Sequence, residues 1–180
     1  MNKKYKIAIV GATGLVGRTI LKVLEEKKFQ NVEYRLFASQ KSSGKKIEFL
    51  GTTYIISTLE KTSFDSGFDF AIFSAGSEIA KIYAPIAASK GCVVIDNSSA
   101  FRMEDNVPLI VPEVNKEKIS ENKGIIANPN CSTIQAMLPL KILDDNFKIK
   151  RIVYSTYQAV SGAGKKGLED LEKGEERIIL

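Results

Sequence analysis

Residues 6–17 leave this chain few folds to choose from. Lys6-Ile-Ala-Ile-Val10 is an apolar run of strand character that passes directly into Gly11-Ala-Thr-Gly14-Leu-Val-Gly17. Val16, Ile20, Val23 and Leu24 then recur at helical spacing, which predicts a helix to about Lys27. Strand, glycine turn and helix in that order open a dinucleotide-binding unit. Glycines let the turn be tight and let the main chain approach a pyrophosphate, which the helix N-terminus then faces. The spacing is G-x-x-G-x-x-G rather than the commoner G-x-G-x-x-G. A tight turn without a ligand is the plainer reading. The correct flanks favour nucleotide binding.

The next strand is expected at Val32 to Ala38. An NAD site usually carries an acid near this strand's end to hold the ribose 2′-hydroxyl. Here Ser39-Gln-Lys41-Ser42-Ser43-Gly44-Lys45-Lys46 follows, and no acid lies between Glu33 and Glu48. A carboxylate would repel a 2′-phosphate, whereas Lys41 and Ser42 would bind it, so the expected cofactor is NADP. A solvated polar loop is the alternative. Further strands are expected at Thr53 to Ser57, Asp69 to Ser74 and Cys92 to Ile95. A helix from Glu78 to Lys90 is expected between the last two, with Ser77 as N-cap, a kink or new turn at Pro85, and Gly91 as its stop. Cys92, inside an apolar strand, reads as core. This alternation predicts an α/β fold, a Rossmann-like parallel doubly wound sheet. Ligands gather at the carboxyl ends of such strands, where Gly11, Ser39, Ala75, Gly76 and Asn97 fall.

After Ser99 the texture changes. Leu109 to Val111 is short and apolar, Ile119 to Asn122 is at best a brief helical piece, and Ile125 to Ala127 reads as a strand. It delivers the chain to Asn128-Pro-Asn-Cys131-Ser-Thr133, ahead of an expected helix over Ile134 to Leu143. A thiol just inside a helix start sits where unpaired N–H groups and the helix dipole favour negative charge. Two readings of Cys131 stand: a reactive thiolate, or a small buried filler. Lys148 to Val160 alternates strongly enough to predict a strand, and a glycine-rich run and a charged helical segment follow. The expected division is a cofactor domain over residues 1–127 and the incomplete start of an α+β domain over 128–180.

Composition narrows the function. With 44% hydrophobic residues a real core is available. The net charge of +5 is scattered rather than gathered, which favours small anionic ligands over nucleic acid. Two distant cysteines give no disulfide framework and fit a reducing cytoplasm, and no run approaches a membrane span. No metal site is expected. There is no histidine, the commonest general base near neutral pH.

Five segments together carry a resemblance: Gly11-Ala-Thr-Gly-Leu-Val-Gly17, Ile95-Asp-Asn-Ser-Ser-Ala-Phe-Arg102, Val111-Pro-Glu-Val-Asn115, Asn128-Pro-Asn-Cys-Ser-Thr133 and Tyr157-Gln-Ala-Val-Ser-Gly-Ala-Gly164. Their order is similar to the motif series of bacterial aspartate-semialdehyde dehydrogenase. That family reduces L-4-aspartyl phosphate with NADPH to L-aspartate 4-semialdehyde and phosphate, for lysine, diaminopimelate, methionine and threonine synthesis. The resemblance implies that Cys131 is the acyl-thioester nucleophile and that Gln158 positions the substrate. It implies Arg102, with Asn130 and Gln158, for the phosphoryl group and substrate. For the cofactor it implies Thr13, Gly14, Leu15, Val16, Lys41, Ser42, Ser161 and Gly162, to which the glycine turn adds Gly11 and Gly17 and the strand ends add Ser39, Ala75 and Gly76. Without it, Arg102 reads equally as a surface ion pair. The family usually has arginine where Lys41 stands, and lysine lacks the bidentate fork.

The resemblance further implies a homodimer or homotetramer and a catalytic/dimerisation domain that residues 128–180 begin. The family's histidine and further substrate-binding Arg and Lys lie in its second half. The expectation is therefore a fragment that binds NADP(H) weakly and does not turn over. N-acetyl-glutamyl-phosphate reductase is the nearest enzyme rival, though it tends to place glycine and an aromatic where Asn130 and Ser132 stand. A nucleotide-binding module without catalysis is the other.

Overall fold

The computed structural model describes residues 3–178, without the side chains of residues 161, 163, 165, 166 and 175–178. The chain divides into two compact units, Met1–Pro129 and Asn130–Leu180.

The first unit opens with β1 (Tyr5–Val10), the glycine turn, α1 (Leu15–Lys27) and β2 (Val32–Ala38). A hairpin follows, β3 (Lys46–Phe49) and β4 (Thr52–Ile55), then β5 (Ser57–Thr58), β6 (Phe70–Phe73), α2 (Ser77–Ser89) and β7 (Val93–Asp96). The short α3 (Pro112–Asn115) and β8 (Ile125–Ala127) complete it. Six strands pair in the order β5-β2-β1-β6-β7-β8, every pairing parallel. The chain leaves β1 toward one side and later returns to β1's other side, so the crossover direction reverses beside β1.

Period-two alternation divides the core between the faces. Ala8 and Val10 join Phe37, Ala71, Phe73 and Val94 on one face, under Ala80, Ala84 and Ala87 of α2. Ile9, Leu36 and Ala38 face the other way, under Leu21 and Leu24 of α1 and Ile47 and Phe49 of the hairpin. Both faces are thus covered, the condition under which parallel sheets are stable.

Two of the crossovers carry no α-helix, in line with the absence of a helical expectation there. Between β2 and β5 the chain forms the antiparallel hairpin instead, and between β5 and β6 a loop is anchored by the buried rings of Phe64 and Phe68. The hairpin turns at Leu50 and Gly51, both at positive φ (52° and 69°), with Leu50 N–H donating to Glu25 Oε1 at 2.6 Å. Leu-Gly is not a recognisable hairpin signal, because the partner that holds it lies 25 residues away. Several local expectations need correction. Ser77 is not the N-cap of α2. Gly76, at φ 87°, occupies that position, and Ser77 shares a hydrogen bond with Ser99 at 2.9 Å between hydroxyl oxygens. Helix α2 runs on through Pro85, which is exposed, so the carbonyl it frees can reach water. Gly91, at φ 80°, follows the helix as expected, and Cys92 is buried.

In the second unit α4 spans Cys131–Phe147, longer than expected at both ends, and α5 spans Gly164–Ile178. Residues 148–159 form no strand, and a 3-10 turn covers Val160–Ala163. A strand needs a hydrogen-bonding neighbour as well as alternation, and among the described residues this segment has none. Ile152, Val153, Tyr154 and Tyr157 are all exposed there. No described helix is long and apolar enough to cross a membrane.

Candidate functional site

Because the strands are parallel, their carboxyl ends share one edge of the sheet. Gly11, Ser39, Ser74, Asn97 and Asn128 follow directly on β1, β2, β6, β7 and β8. In open α/β sheets ligands bind at this edge, beside the point where the strand order reverses.

The glycine turn is built first for packing. Gly11, at φ 89°, receives the turn through Gly14 N–H to Gly11 O at 3.0 Å. A Cβ on Gly11 would lie 2.6 Å from Ser74 O, and one on Gly17 would lie 2.1 Å from Gly11 O. These two glycines therefore let the turn rest on the end of β6 and let α1 rest on the turn. Gly14 is different. It is the N-cap of α1, has no side-chain capping bond, and a Cβ there would meet only Gly11 O at 3.4 Å. The helix start beyond it carries no acid, and Leu15 and Val16 are exposed. An uncapped, glycine-fronted helix start fits a pyrophosphate.

Ser39, Lys41 and Ser42 come to the same edge on a 3-10 turn, Gln40–Ser42, closed by Ser42 N–H to Ser39 O at 2.8 Å. Ser42 Oγ lies 3.4 Å from Thr13 Oγ1, long for a hydrogen bond but enough to put the turn beside the glycine loop. Ala75 and Gly76 lie where the glycine turn meets the exit of β6. Among the described residues no cluster of His, Cys, Asp or Glu could hold a metal ion.

Arg102 is half-buried, and its partners are main-chain carbonyls. Nε donates to Asn128 O at 2.9 Å and Nη2 to Asn97 O at 3.2 Å. It thereby ties the exits of β7 and β8, which the Asn128 amide also bridges by donating to Asn97 Oδ1. Asp96 is fully buried and accepts from Ser98 N–H at 3.1 Å and Ser98 Oγ at 2.7 Å. Burial pushes its carboxyl above the ordinary range, against the Ser98 hydrogen bonds and the nearby Arg102 charge. Asp96 and Asn128 are residues of this edge to which sequence reasoning gave no role, whereas Asn97 stands at the strand end where it was expected. The Asp-x-Ser spacing of an Asx turn at a strand end was the available signal for the first.

In the second unit Cys131 is the first residue of α4, and it is exposed. Asn130 caps the helix, its Oδ1 accepting from Ser132 N–H at 2.9 Å. Its Nδ2 donates to Gln158 Oε1 at 3.1 Å, so two residues 28 apart meet at the start of the cysteine's helix. Gly162 lies beside Gln158: a Cβ there would be 3.0 Å from Gln158 Nε2. The side chain of Ser161 lies outside the described residues. The other cysteine behaves oppositely. Burial pushes the Cys92 thiol up to about 12, with Asp69 adding to the shift.

A parallel sheet with a glycine turn, an open helix start and a polar, basic second loop defines a dinucleotide-binding domain. Residues 6–122 match the family described as "Semialdehyde dehydrogenase, NAD binding domain". The chain belongs to that family, and its sequence corresponds to the N-terminal half of aspartate-semialdehyde dehydrogenases. It is 56% identical over 170 residues to the aspartate-semialdehyde dehydrogenase of Aquifex aeolicus, covering 93% of this chain and 50% of that one. It superimposes with a TM-score of 0.89 on aspartate semialdehyde dehydrogenase II of Vibrio cholerae, solved in complex with ASA, at 48% identity over 96% of this chain and 52% of that one. The Candida albicans enzyme, solved with NADP, gives a TM-score of 0.66 at 27% identity over 82% of this chain and 48% of that one. The chain thus spans about half the length of the curated relatives it matches.

Proposed function

We propose that this chain is the cofactor-binding half of an NADP-dependent aspartate-semialdehyde dehydrogenase, which interconverts L-4-aspartyl phosphate and L-aspartate 4-semialdehyde plus phosphate. The observation that carries the reading is Cys131, an exposed thiol at the first residue of a 17-residue helix whose capping asparagine also holds Gln158. The names of the relatives supply the substrate class.

The residues divide the work as follows. Gly14, Leu15 and Val16 front the helix start that would take the pyrophosphate. Ser39, Lys41 and Ser42 would take a 2′-phosphate, since the turn offers a cation and hydroxyls and no acid. The Cys131 thiolate attacks the acyl carbon of the substrate, the carbon–oxygen bond to phosphate breaks, and an acyl thioester remains. Negative charge that develops on the carbonyl oxygen is stabilised by N–H groups at the start of α4. NADPH, when bound, supplies the hydride that reduces the thioester. Collapse of the resulting tetrahedral adduct on Cys131 releases the aldehyde and restores the thiolate. Asn130 and Gln158 orient the substrate, and the Arg102 guanidinium supplies positive charge for the leaving phosphate. A relative's second half would contribute the proton carrier, as residues 1–180 contain no histidine. The active assembly is a homodimer or homotetramer in the cytoplasm.

The test uses a protein that includes the continuation seen in the relatives. Phosphate-dependent oxidation of aspartate semialdehyde with NADP is expected, and it should be abolished by Cys131→Ser. Activity confined to N-acetyl-glutamate semialdehyde would reverse the substrate assignment. Steady turnover by residues 1–180 alone would show that no further residues are needed.

A further inference from the structure

The turn that carries Lys41 and Ser42 is not a free loop. It is fastened to the edge strand of the sheet from several directions. Gln40 Oε1 accepts a hydrogen bond from Thr58 Oγ1 at 2.9 Å. Beyond the turn, Gly44 N–H donates to Ile56 O at 3.0 Å, and Ile56 N–H returns to Lys45 O at 2.9 Å. Behind it, Leu59 N–H donates to Ala38 O at 3.0 Å. Ser57 and Thr58 form β5, the edge strand, in parallel register with Phe37 and Ala38 at the end of β2. The main-chain bonds fix where the turn begins and ends. Among the described residues, the Gln40–Thr58 bond is the side-chain tie between the turn itself and β5, eighteen residues on.

We infer that Gln40 and Thr58 are positioning residues that set the preference for a 2′-phosphorylated dinucleotide by holding the 40–42 turn in one conformation. The inference rests on the reading of Lys41 and Ser42 as the 2′-phosphate partners. A lysine on a flexible stem is a poor orienting group, because it offers a point charge without a planar fork. With lysine at position 41, selectivity depends more heavily on where the turn holds that charge and the adjacent hydroxyl. A turn free to move gives up part of its binding free energy to ordering when the phosphate arrives. On that reading residues 40–42 meet the 2′-phosphate and not the rest of the nucleotide, so the tie acts chiefly on that phosphate. Thr58 itself need not touch the ligand.

The experiment measures dissociation constants of NADPH and NADH for residues 1–180 and three variants, with thermal unfolding as control. Thr58→Val removes the hydroxyl and keeps the β-branched shape that suits an edge strand. Thr58→Ser keeps the hydroxyl. Gln40→Ala removes the other partner from an exposed position, and reports the same tie if Thr58→Val does not fold. The expected result is a loss of about fivefold in NADPH affinity for Thr58→Val and for Gln40→Ala, equivalent to roughly 1 kcal/mol for one neutral hydrogen bond. NADH affinity should stay within about twofold, and Thr58→Ser should retain the wild-type ratio. An unchanged NADPH-to-NADH ratio in Thr58→Val and Gln40→Ala overturns the inference, as does an equal loss for both nucleotides. A wild-type chain that does not prefer NADPH overturns the 2′-phosphate reading instead, and the inference with it.

Discussion

Gly17→Ala sets two opposed effects against each other, and the structure decides which wins. Gly17 lies inside α1, where helix propensity alone favours alanine by about 1 kcal/mol. The added methyl, however, would lie 2.1 Å from Gly11 O, 2.8 Å from Gly11 C and 2.9 Å from Ala12 Cα. Real Cβ contacts essentially never fall under 3.0 Å, so the turn and the helix must part by about 1 Å at the closest atom. The obstacle is main chain and cannot rotate aside. Gly11 is held by its N–H to Phe37 O at 2.9 Å and accepts from Gly14 N–H at 3.0 Å. The helix therefore has to lift, and Leu21 and Leu24 lift with it from Ile9 and Leu36. Overpacking of this kind costs about 1–3 kcal/mol, and the gap opened under the leucines adds a comparable amount. Net of propensity, a loss of about 2–3 kcal/mol is expected, or a fall in melting temperature on the order of 5–10 °C. Far-UV circular dichroism on heating reads it directly. Gly14→Ala is the control: its methyl meets nothing closer than 3.4 Å, and only a cap preference of about 1 kcal/mol or less is lost. A Gly17→Ala protein that melts with wild type, or a Gly14→Ala protein that falls as far, would refute this account of the turn.

Three further outcomes follow from the two cysteines and from Asp96. Iodoacetamide at pH 8 without denaturant should modify the exposed Cys131 and spare Cys92, as peptide mass spectrometry would reveal; equal labelling would contradict the burial of Cys92. The Cys92 thiol is pushed from 9.0 to about 12, so its contribution to stability is complete below pH 9 and drains away as the pH climbs toward 12. Cys92→Ala should lack that alkaline loss. Asp96 titrates above its ordinary 3.8 because burial favours the neutral acid. Its contribution is therefore greatest below pH 3.8 and is lost as the pH rises through its raised value. Asp96→Asn removes that loss, so its melting temperature should gain on wild type across this window. A constant difference between the two proteins with pH would mean that Asp96 is not perturbed.

Much of the site was legible because its parts are local. A glycine turn between strand and helix is written in consecutive residues, and so is a cysteine between a capping asparagine and an apolar run. The apolar setting of Cys92 was enough to assign it to the core. These readings depend on propensity, periodicity and cap chemistry within one or two turns of chain. Other features depend on partners that no local window contains. Alternation in residues 148–160 predicted a strand, but a strand exists only where a neighbour takes its hydrogen bonds. Lys46 to Phe49 sits at the end of a polar run, yet it pairs with β4 because Glu25 anchors the turn between them. Gly76 rather than Ser77 caps α2, because Ser99, from the far side of β7, engages the Ser77 hydroxyl.

The sequence alone therefore determined the class of fold, the candidate nucleophile's place at a helix start, and the charge character of the second loop. Tertiary structure decided what those residues hold. It gave Arg102 two backbone carbonyls at the exits of β7 and β8, and it gave Gln40 a hydroxyl on β5. It also showed that Gly11 and Gly17 are needed by the protein's own packing and that Gly14 is the glycine left open. The physical reason is distance along the chain. Propensity and capping act between neighbours in sequence, whereas hydrogen-bond partners and close contacts are chosen by the packed sheet, across separations that composition and spacing do not encode.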